Sequence, residues 1–197
     1  MAREHFRYLQ QKTTMNFKNA LDVGTHFGYL VKFLNGAGCG ARGIEADEDR
    51  VAQAVTGNVE HGYFDPSFKT DERFDLVCFN DMLYCLPNGM DILRHARTLL
   101  ADRGMILVAT INPYSSLIKI YPGTGPGIEC TNCLLSKKNF ESLDGMEMVD
   151  YSCFRSDMLI DMQHGRRYKF PLYWAGLKKV NTFDVDGNKM YVLLKKK

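Results

Sequence analysis

Apolar residues recur along this chain in two alternating rhythms, short continuous runs and helical stripes. Ala20-Leu21-Asp22-Val23 is an apolar run that stops at Gly24, and residues 28–35 carry the stripe of a helix. The run 41–47 ends in Glu45 and Asp47, and the helix expected over 48–55 opens with acids, where its dipole favours them. Val59 to Phe64 reads as a third strand and Asp65-Pro66-Ser67 as a turn. Residues 73–81 form a near-continuous apolar run, as fits a central strand covered on both faces. Ile92, Leu93, Ala96, Leu99 and Leu100 share one face of a helix over 90–100. Asp102-Arg103-Gly104 breaks that stripe, and 105–109 is a fifth strand.

Strand and helix alternating over 20–110 predicts an α/β fold with a doubly wound, mostly parallel sheet and right-handed crossovers. Residues 1–18 read as a helical extension over the domain edge, with Phe6, Tyr8 and Leu9 among polar neighbours. Residues 112–135 break the rhythm with Pro113, Pro122 and Pro126, and read as a substrate loop or lid. A short helix capped by Ser136 follows. Residues 146–154 and 189–194 are two further strands, the last entered through the turn Asp186-Gly187-Asn188.

The chain's 197 residues suit one domain with a sizeable core. A net charge of +2 gives no argument for nucleic acid or an anionic membrane. The first residues lack the apolar core of a secretory signal, and no apolar run is long enough to span a bilayer, so a cytoplasmic protein with reduced thiols is expected. Cys130 and Cys133 have the spacing of a metal hook, but no second pair completes a zinc set, and no metal is expected.

The chemistry concentrates where the first strand ends. Asp22, Gly24 and Gly28 place an acid and two glycines at a strand–turn–helix junction, the position where doubly wound sheets bind ligands. The G-x-G-x-x-G of dinucleotide sites and the Gly-Lys-Ser/Thr of a phosphate loop are both absent. What remains is acid-x-Gly-x-x-x-Gly, with Glu45 as a second acid at the next strand end.

From residues 19 to 112 the sequence resembles the class I S-adenosylmethionine-dependent methyltransferases of small-molecule type. Leu21-Asp22-Val23-Gly24-Thr25-His26-Phe27-Gly28 resembles the first motif, and Gly43-Ile44-Glu45 the acid that holds the cofactor ribose. Phe74-Asp75-Leu76-Val77 through Asn80-Asp81 and Leu86 resembles the fourth-strand motif, and 99–107 the helix, turn and strand that follow. The resemblance implies a seven-stranded sheet with an antiparallel last strand. It implies S-adenosyl-L-methionine held by Asp22, Gly24, Thr25, His26, Gly28, Glu45, Ala46, Phe64, Asp65 and Asn80. It further implies methyl transfer to oxygen or nitrogen of a small molecule, with Asp81 and His26 as candidates for a direct role. Two residues depart from the pattern. His26 replaces the middle glycine, where its side chain either crowds the methionine portion or points outward, and Cys85 stands where many members carry histidine. His26 also motivates a second reading, a non-catalytic binding or scaffold protein; a further alternative is a methyltransferase for protein or RNA, which the low net charge disfavours.

Overall fold

The computed structural model describes residues 1–14, 16–116, 132–157, 161, 165–175 and 181–197. Helix α1 (Ala2–Lys12) precedes β1 (Asn19–Val23), α2 (Tyr29–Gly36), β2 (Gly40–Glu45), α3 (Glu48–Ala52) and β3 (Val59–His61). Then come β4 (Phe74–Asn80), α4 (Gly89–Thr98), β5 (Leu100–Ile111), α5 (Lys137–Glu141), β6 (Met146–Ser156), α6 (Phe170–Trp174), β7 (Asn181–Phe183) and β8 (Lys189–Lys196). The strands form one sheet in the order β3-β2-β1-β4-β5-β8-β6-β7. The first five are parallel, and β8 runs antiparallel between β5 and β6.

The period of two in a strand explains the layering. Ala20, Leu76, Cys78, Leu107, Ala109, Tyr191 and Leu193 face one side, packed with Tyr8 and Leu9 of α1 and Leu30, Val31 and Leu34 of α2. Leu21, Val23, Val77, Phe79, Val108 and Val192 face the other, packed with Ile92, Leu93 and Ala96 of α4 and with Phe140 of α5. Val77, Cys78 and Phe79 are all fully buried, as the continuous run in β4 requires of a strand with both faces covered.

Four expectations are refined. Among the described residues the sheet has eight strands, because the short β7 pairs with β6 at the edge. The third strand stops at His61, and the chain has left the sheet before Phe64. The break at 102–104 lies inside β5, where pairing with β4 jumps from Phe74↔Leu100 to Leu76↔Met105. Arg103 sits at φ 61 in that bulge, and a Cβ on Gly104 would lie 2.8 Å from the Phe74 carbonyl oxygen. Finally, the loop expected over 112–135 lies largely outside the described residues, as do Cys130 and His164.

Helix α1 is an integral wall of this sheet. The Tyr8 ring stacks on Tyr191 at 4.5 Å, and its hydroxyl donates to Asp150 at 2.6 Å. The Lys12 ammonium reaches the other oxygen of Asp150, also at 2.6 Å. One carboxylate on β6 therefore anchors α1 by two contacts.

At the turn into β8, a Cβ on Gly187 would lie 2.1 Å from the backbone carbon of Phe154. Gly187→Ala is expected to cost about 3 kcal/mol and lower the melting temperature by roughly 6–12 °C, measured by thermal circular dichroism. A shift under about 2 °C would show that the turn relaxes freely.

Candidate functional site

The site starts from the central position of β1 between β2 and β4. The order of the sheet reverses between β1 and β4, so the helices leave on opposite faces and a crevice opens at the carboxyl ends of these strands. Asp22 stands near the end of β1 and is 2% exposed. Its two oxygens are held separately, Oδ2 by the Thr25 hydroxyl at 2.6 Å and Oδ1 by the Asn80 amide at 2.9 Å. Burial pushes its pKa up to about 6, although both hydrogen bonds favour the ionised form and pull the other way. The Asn80 Oδ1, on the far side of the amide, is buried without a hydrogen-bond partner.

The turn after β1 is fixed by its backbone. Gly24 takes φ 66, and a Cβ there would lie 2.9 Å from Cγ of Met82. The Gly24 and Thr25 amides both donate to the Ile44 carbonyl, at 2.8 and 3.2 Å. His26 takes φ 56, the left-handed conformation that glycine adopts most easily. Its amide donates to Glu45 Oε2 at 2.7 Å, and its side chain is exposed, with the ring edge-on to Phe27 at 4.1 Å. Burial and the nearby Arg50 lower its pKa. The histidine therefore keeps the glycine's backbone geometry.

Glu45 ends β2 and is 6% exposed. Its Oε1 accepts from the Asp47 amide at 3.2 Å and lies 3.8 Å from an Arg50 nitrogen. Asp47 caps α3 by accepting from the Arg50 amide at 3.2 Å, which fixes the short helix beside the carboxylate.

These residues line one cleft of about 1040 Å³. Asp22, Gly24, Thr25, His26, Glu45, Ala46, Phe64, Asp65, Asn80 and Asp81 are all on its walls. Gly28 is not. It precedes α2 at φ 75, and a Cβ would press to 2.6 Å from Cγ2 of Val59, so glycine is needed there for close packing. Phe64 is buried against Phe79 at 5.6 Å and His95 at 5.5 Å. The Asp65 carboxylate is engaged in its own turn, accepting from the Ser67 amide and hydroxyl at 2.6 Å each, which lowers its pKa.

Three residues on or near the cleft walls were not singled out by their sequence positions. His5 of α1 is 4% exposed, lies on the cleft wall, and leaves Nδ1 without a hydrogen-bond partner. His5 thus joins His26 on the cleft wall. A lone His on an amphipathic helix carries no spacing signal, and only tertiary docking of α1 brings it here. Lys189, at the start of β8, pairs with Asp81. Asp81 takes φ 55, and its carboxylate is committed to this ammonium and does not cap the following turn. Arg50 is the third, on the wall beside Glu45.

Among the described residues no group of three His, Cys, Asp or Glu side chains could hold a metal ion, and no helix is long and apolar enough to cross a membrane. Cys133 packs instead against the start of α4, its Sγ 2.8 Å from where a Gly89 Cβ would be.

Comparison with known proteins agrees with this geometry. A family described as "Methyltransferase domain" matches residues 1–122. The ubiquinone biosynthesis O-methyltransferase of Haemophilus ducreyi is 27% identical over 121 residues, 54% of this chain and 51% of that protein. The chain thus spans about half the length of that relative. Among solved structures, the putative sarcosine dimethylglycine methyltransferase from Galdieria sulphuraria superposes with a TM-score of 0.68 at 13% identity, covering 99% of this chain and 84% of that one. The magnesium protoporphyrin IX methyltransferase from Synechocystis PCC 6803, solved with bound SAH, gives 0.64 at 15% identity, covering 100% and 82%. The structural likenesses establish a Rossmann-like methyltransferase fold, and the family match over more than half of the sequence establishes that this chain belongs to the methyltransferase-domain family.

Proposed function

We propose that this protein transfers the methyl group of S-adenosyl-L-methionine to a small-molecule acceptor held in the cleft. The observation that carries this reading is the pair Asp22 and Asn80. The Asp22 carboxylate is buried on the cleft wall with two neutral donors, the Thr25 hydroxyl and the Asn80 amide. Neither compensates its charge, so a cationic donor in the cleft would complete it. The ammonium of the cofactor's methionine portion is such a group.

The remaining walls fit the rest of that molecule. The two Glu45 oxygens each receive one backbone N–H, at 2.7 and 3.2 Å, which orients the carboxylate and leaves lone pairs for ribose hydroxyls. Gly24 lets the backbone pass close to a ligand where a side chain would collide with Met82. Phe64 supplies an apolar surface for the adenine, together with Ala46 and Tyr63 at the rim. Asp65, tied to Ser67, is left with backbone and shape contributions. A volume of about 1040 Å³ exceeds what one ligand of cofactor size fills and leaves room for an acceptor.

The cofactor supplies a methyl group already activated on a sulfonium, so the protein's task is alignment and exclusion of water. The acceptor end is bounded by Met82, Tyr84, Leu86, Pro87 and Ile92, a predominantly apolar wall. The ion pair with Lys189 fixes the Asp81 carboxylate as a strut at the mouth of the cleft. The reading as a non-catalytic scaffold rested on His26, and that residue keeps the loop's hydrogen bond to Glu45 with its side chain exposed. The small net charge of +2 favours a small acceptor over RNA, and the proposed location is the cytoplasm.

Calorimetry with S-adenosylmethionine and S-adenosylhomocysteine tests the reading directly. Binding in the micromolar range is expected, weakened tenfold or more by either Asp22→Ala or Glu45→Ala, and no binding at high micromolar concentration sinks the proposal. The pH dependence has a defined sign. Burial holds Asp22 at a pKa of about 6, so protonation below that pH removes the partner of the ligand ammonium. Affinity is expected to fall by up to tenfold per pH unit from 6 to 4.5, while Asp22→Asn binds weakly with no such slope. In the ligand-free protein the same burial, which lifts the carboxyl from its ordinary 3.8 to about 6, makes the ionised form a cost of about 3 kcal/mol above pH 6, relieved as the pH drops toward 4. Carbon-13 titration of Asp22 should therefore give an apparent pKa near 6, and Thr25→Val should raise it by removing a hydrogen bond to the ionised form.

A further inference from the structure

One carboxylate on the cleft wall spends only half of its hydrogen-bonding capacity inside the protein. Asp81 follows Asn80, whose amide holds Asp22, and precedes Met82, whose side chain packs on Gly24. It thus stands between two residues that touch the turn after β1, and it lines the cleft. Its backbone is left-handed at φ 55, with the amide donating to the Ala109 carbonyl at 2.7 Å. That conformation is strained for a residue with a Cβ, and strain of this kind gathers at functional sites. Its Oδ2 pairs with the ammonium of the buried Lys189. Its Oδ1 makes no hydrogen bond among the described residues and, unlike Asn80 Oδ1, is not covered, the side chain keeping 15% of its surface.

We propose that Asp81 Oδ1 receives the hydrogen bond of an uncharged methyl acceptor, a hydroxyl or neutral amine, and that Lys189 is the positioning residue that sets this preference. This rests on the methyl-transfer reading above and names the class of acceptor for it. An ionised carboxylate only accepts, so the group opposite Oδ1 is a donor. A carboxylate acceptor would set lone pairs against lone pairs. The ion pair is neutral as a unit, so an ammonium acceptor gains little attraction from it while losing its hydration against the apolar wall of Met82, Leu86 and Ile92. A neutral hydroxyl or amine gives its proton to the hydrogen bond and keeps a lone pair for the methyl group. The carboxylate, fixed from behind by Lys189, holds that donor in one orientation, which is the alignment the reaction needs.

Phenol, benzoate and benzylammonium share an aromatic body and differ in charge, and each is titrated into the full chain loaded with S-adenosylhomocysteine. Failure of the wild type to bind S-adenosylhomocysteine by calorimetry overturns the methyl-transfer reading and this inference with it. With that product bound, phenol should bind at least tenfold tighter than either charged probe. In protein carrying carbon-13 aspartate, the Asp81 carboxyl resonance should move on saturation with phenol and stay in place with anisole, which has the same body without the O–H. Lys189→Gln leaves the carboxylate uncompensated, so benzylammonium should gain tenfold or more relative to phenol. In Asp81→Asn the amide oxygen turns to Lys189 and an N–H faces the cleft, so benzoate should gain by a similar factor. Should either variant fail to fold, the wild-type preference and the carboxyl resonance decide alone. With S-adenosylhomocysteine bound normally, the role of the pair is overturned by undetectable phenol binding, by a wild-type preference for a charged probe, or by an Asp81 resonance that ignores phenol or answers anisole equally. An unchanged charge preference in either folded variant overturns it too.

Discussion

The constraint on which this structure turns is the burial of the Asp22 carboxylate at the end of the central strand of a parallel sheet. A charge in that position is held at a cost, and its environment is built around it. Thr25 and Asn80 take one oxygen each, Gly24 turns the chain sharply enough to bring Thr25 back, and Gly43 leaves space for the Thr25 side chain, 2.5 Å from where a Cβ would stand. The donor from β4 couples the first and fourth strands at the point where the sheet reverses its order. What stabilises the carboxylate in the free protein is therefore the same set of groups that shapes the cleft.

A second carboxylate obeys a different rule. Glu45 is held mainly by backbone amides of the loops after β1 and β2, with the Arg50 guanidinium 3.8 Å away, so its geometry follows chiefly from loop conformation. His26 shows why a residue other than glycine is compatible with the loop. The requirement at that position is a left-handed backbone with a free N–H, and histidine meets it at a strain of about 1 kcal/mol with its side chain exposed. Asp81 carries the same backbone conformation at the mouth of β4, and its ion pair with Lys189 holds it there.

Much of this was legible in the order of residues. The apolar runs ending in Asp22, Glu45 and Asn80 mark three neighbouring strands whose ends meet, because a buried parallel strand has no polar position except where it emerges. The doubly covered β4 and the stripe of α4 were equally plain. What could not be read is what depends on docking between distant segments. His5 and Lys189 are separated by nearly the whole chain, and neither sits in a pattern that differs from an ordinary surface helix or strand. Gly28 read as a ligand contact because of its place in the motif, whereas its neighbour Val59 makes it a packing glycine. Asp65 read as a cofactor contact, yet its side chain is engaged by Ser67, a local turn competing for the same carboxylate.

The anchoring of α1 by Asp150 has a consequence for assembly in time. Residues Tyr8 and Lys12 meet an acid 142 and 138 positions later, and His5 and Tyr8 rest on Tyr191. The wall of the acceptor end is thus made from the two extremes of the numbering, and closes only once β6 and β8 have paired. Contacts of such separation form late, because their loop-closure entropy must be met before they contribute. Until β6 and β8 are in place, α1 lacks Asp150 and Tyr191 to dock on, and that side of the cleft lacks its wall.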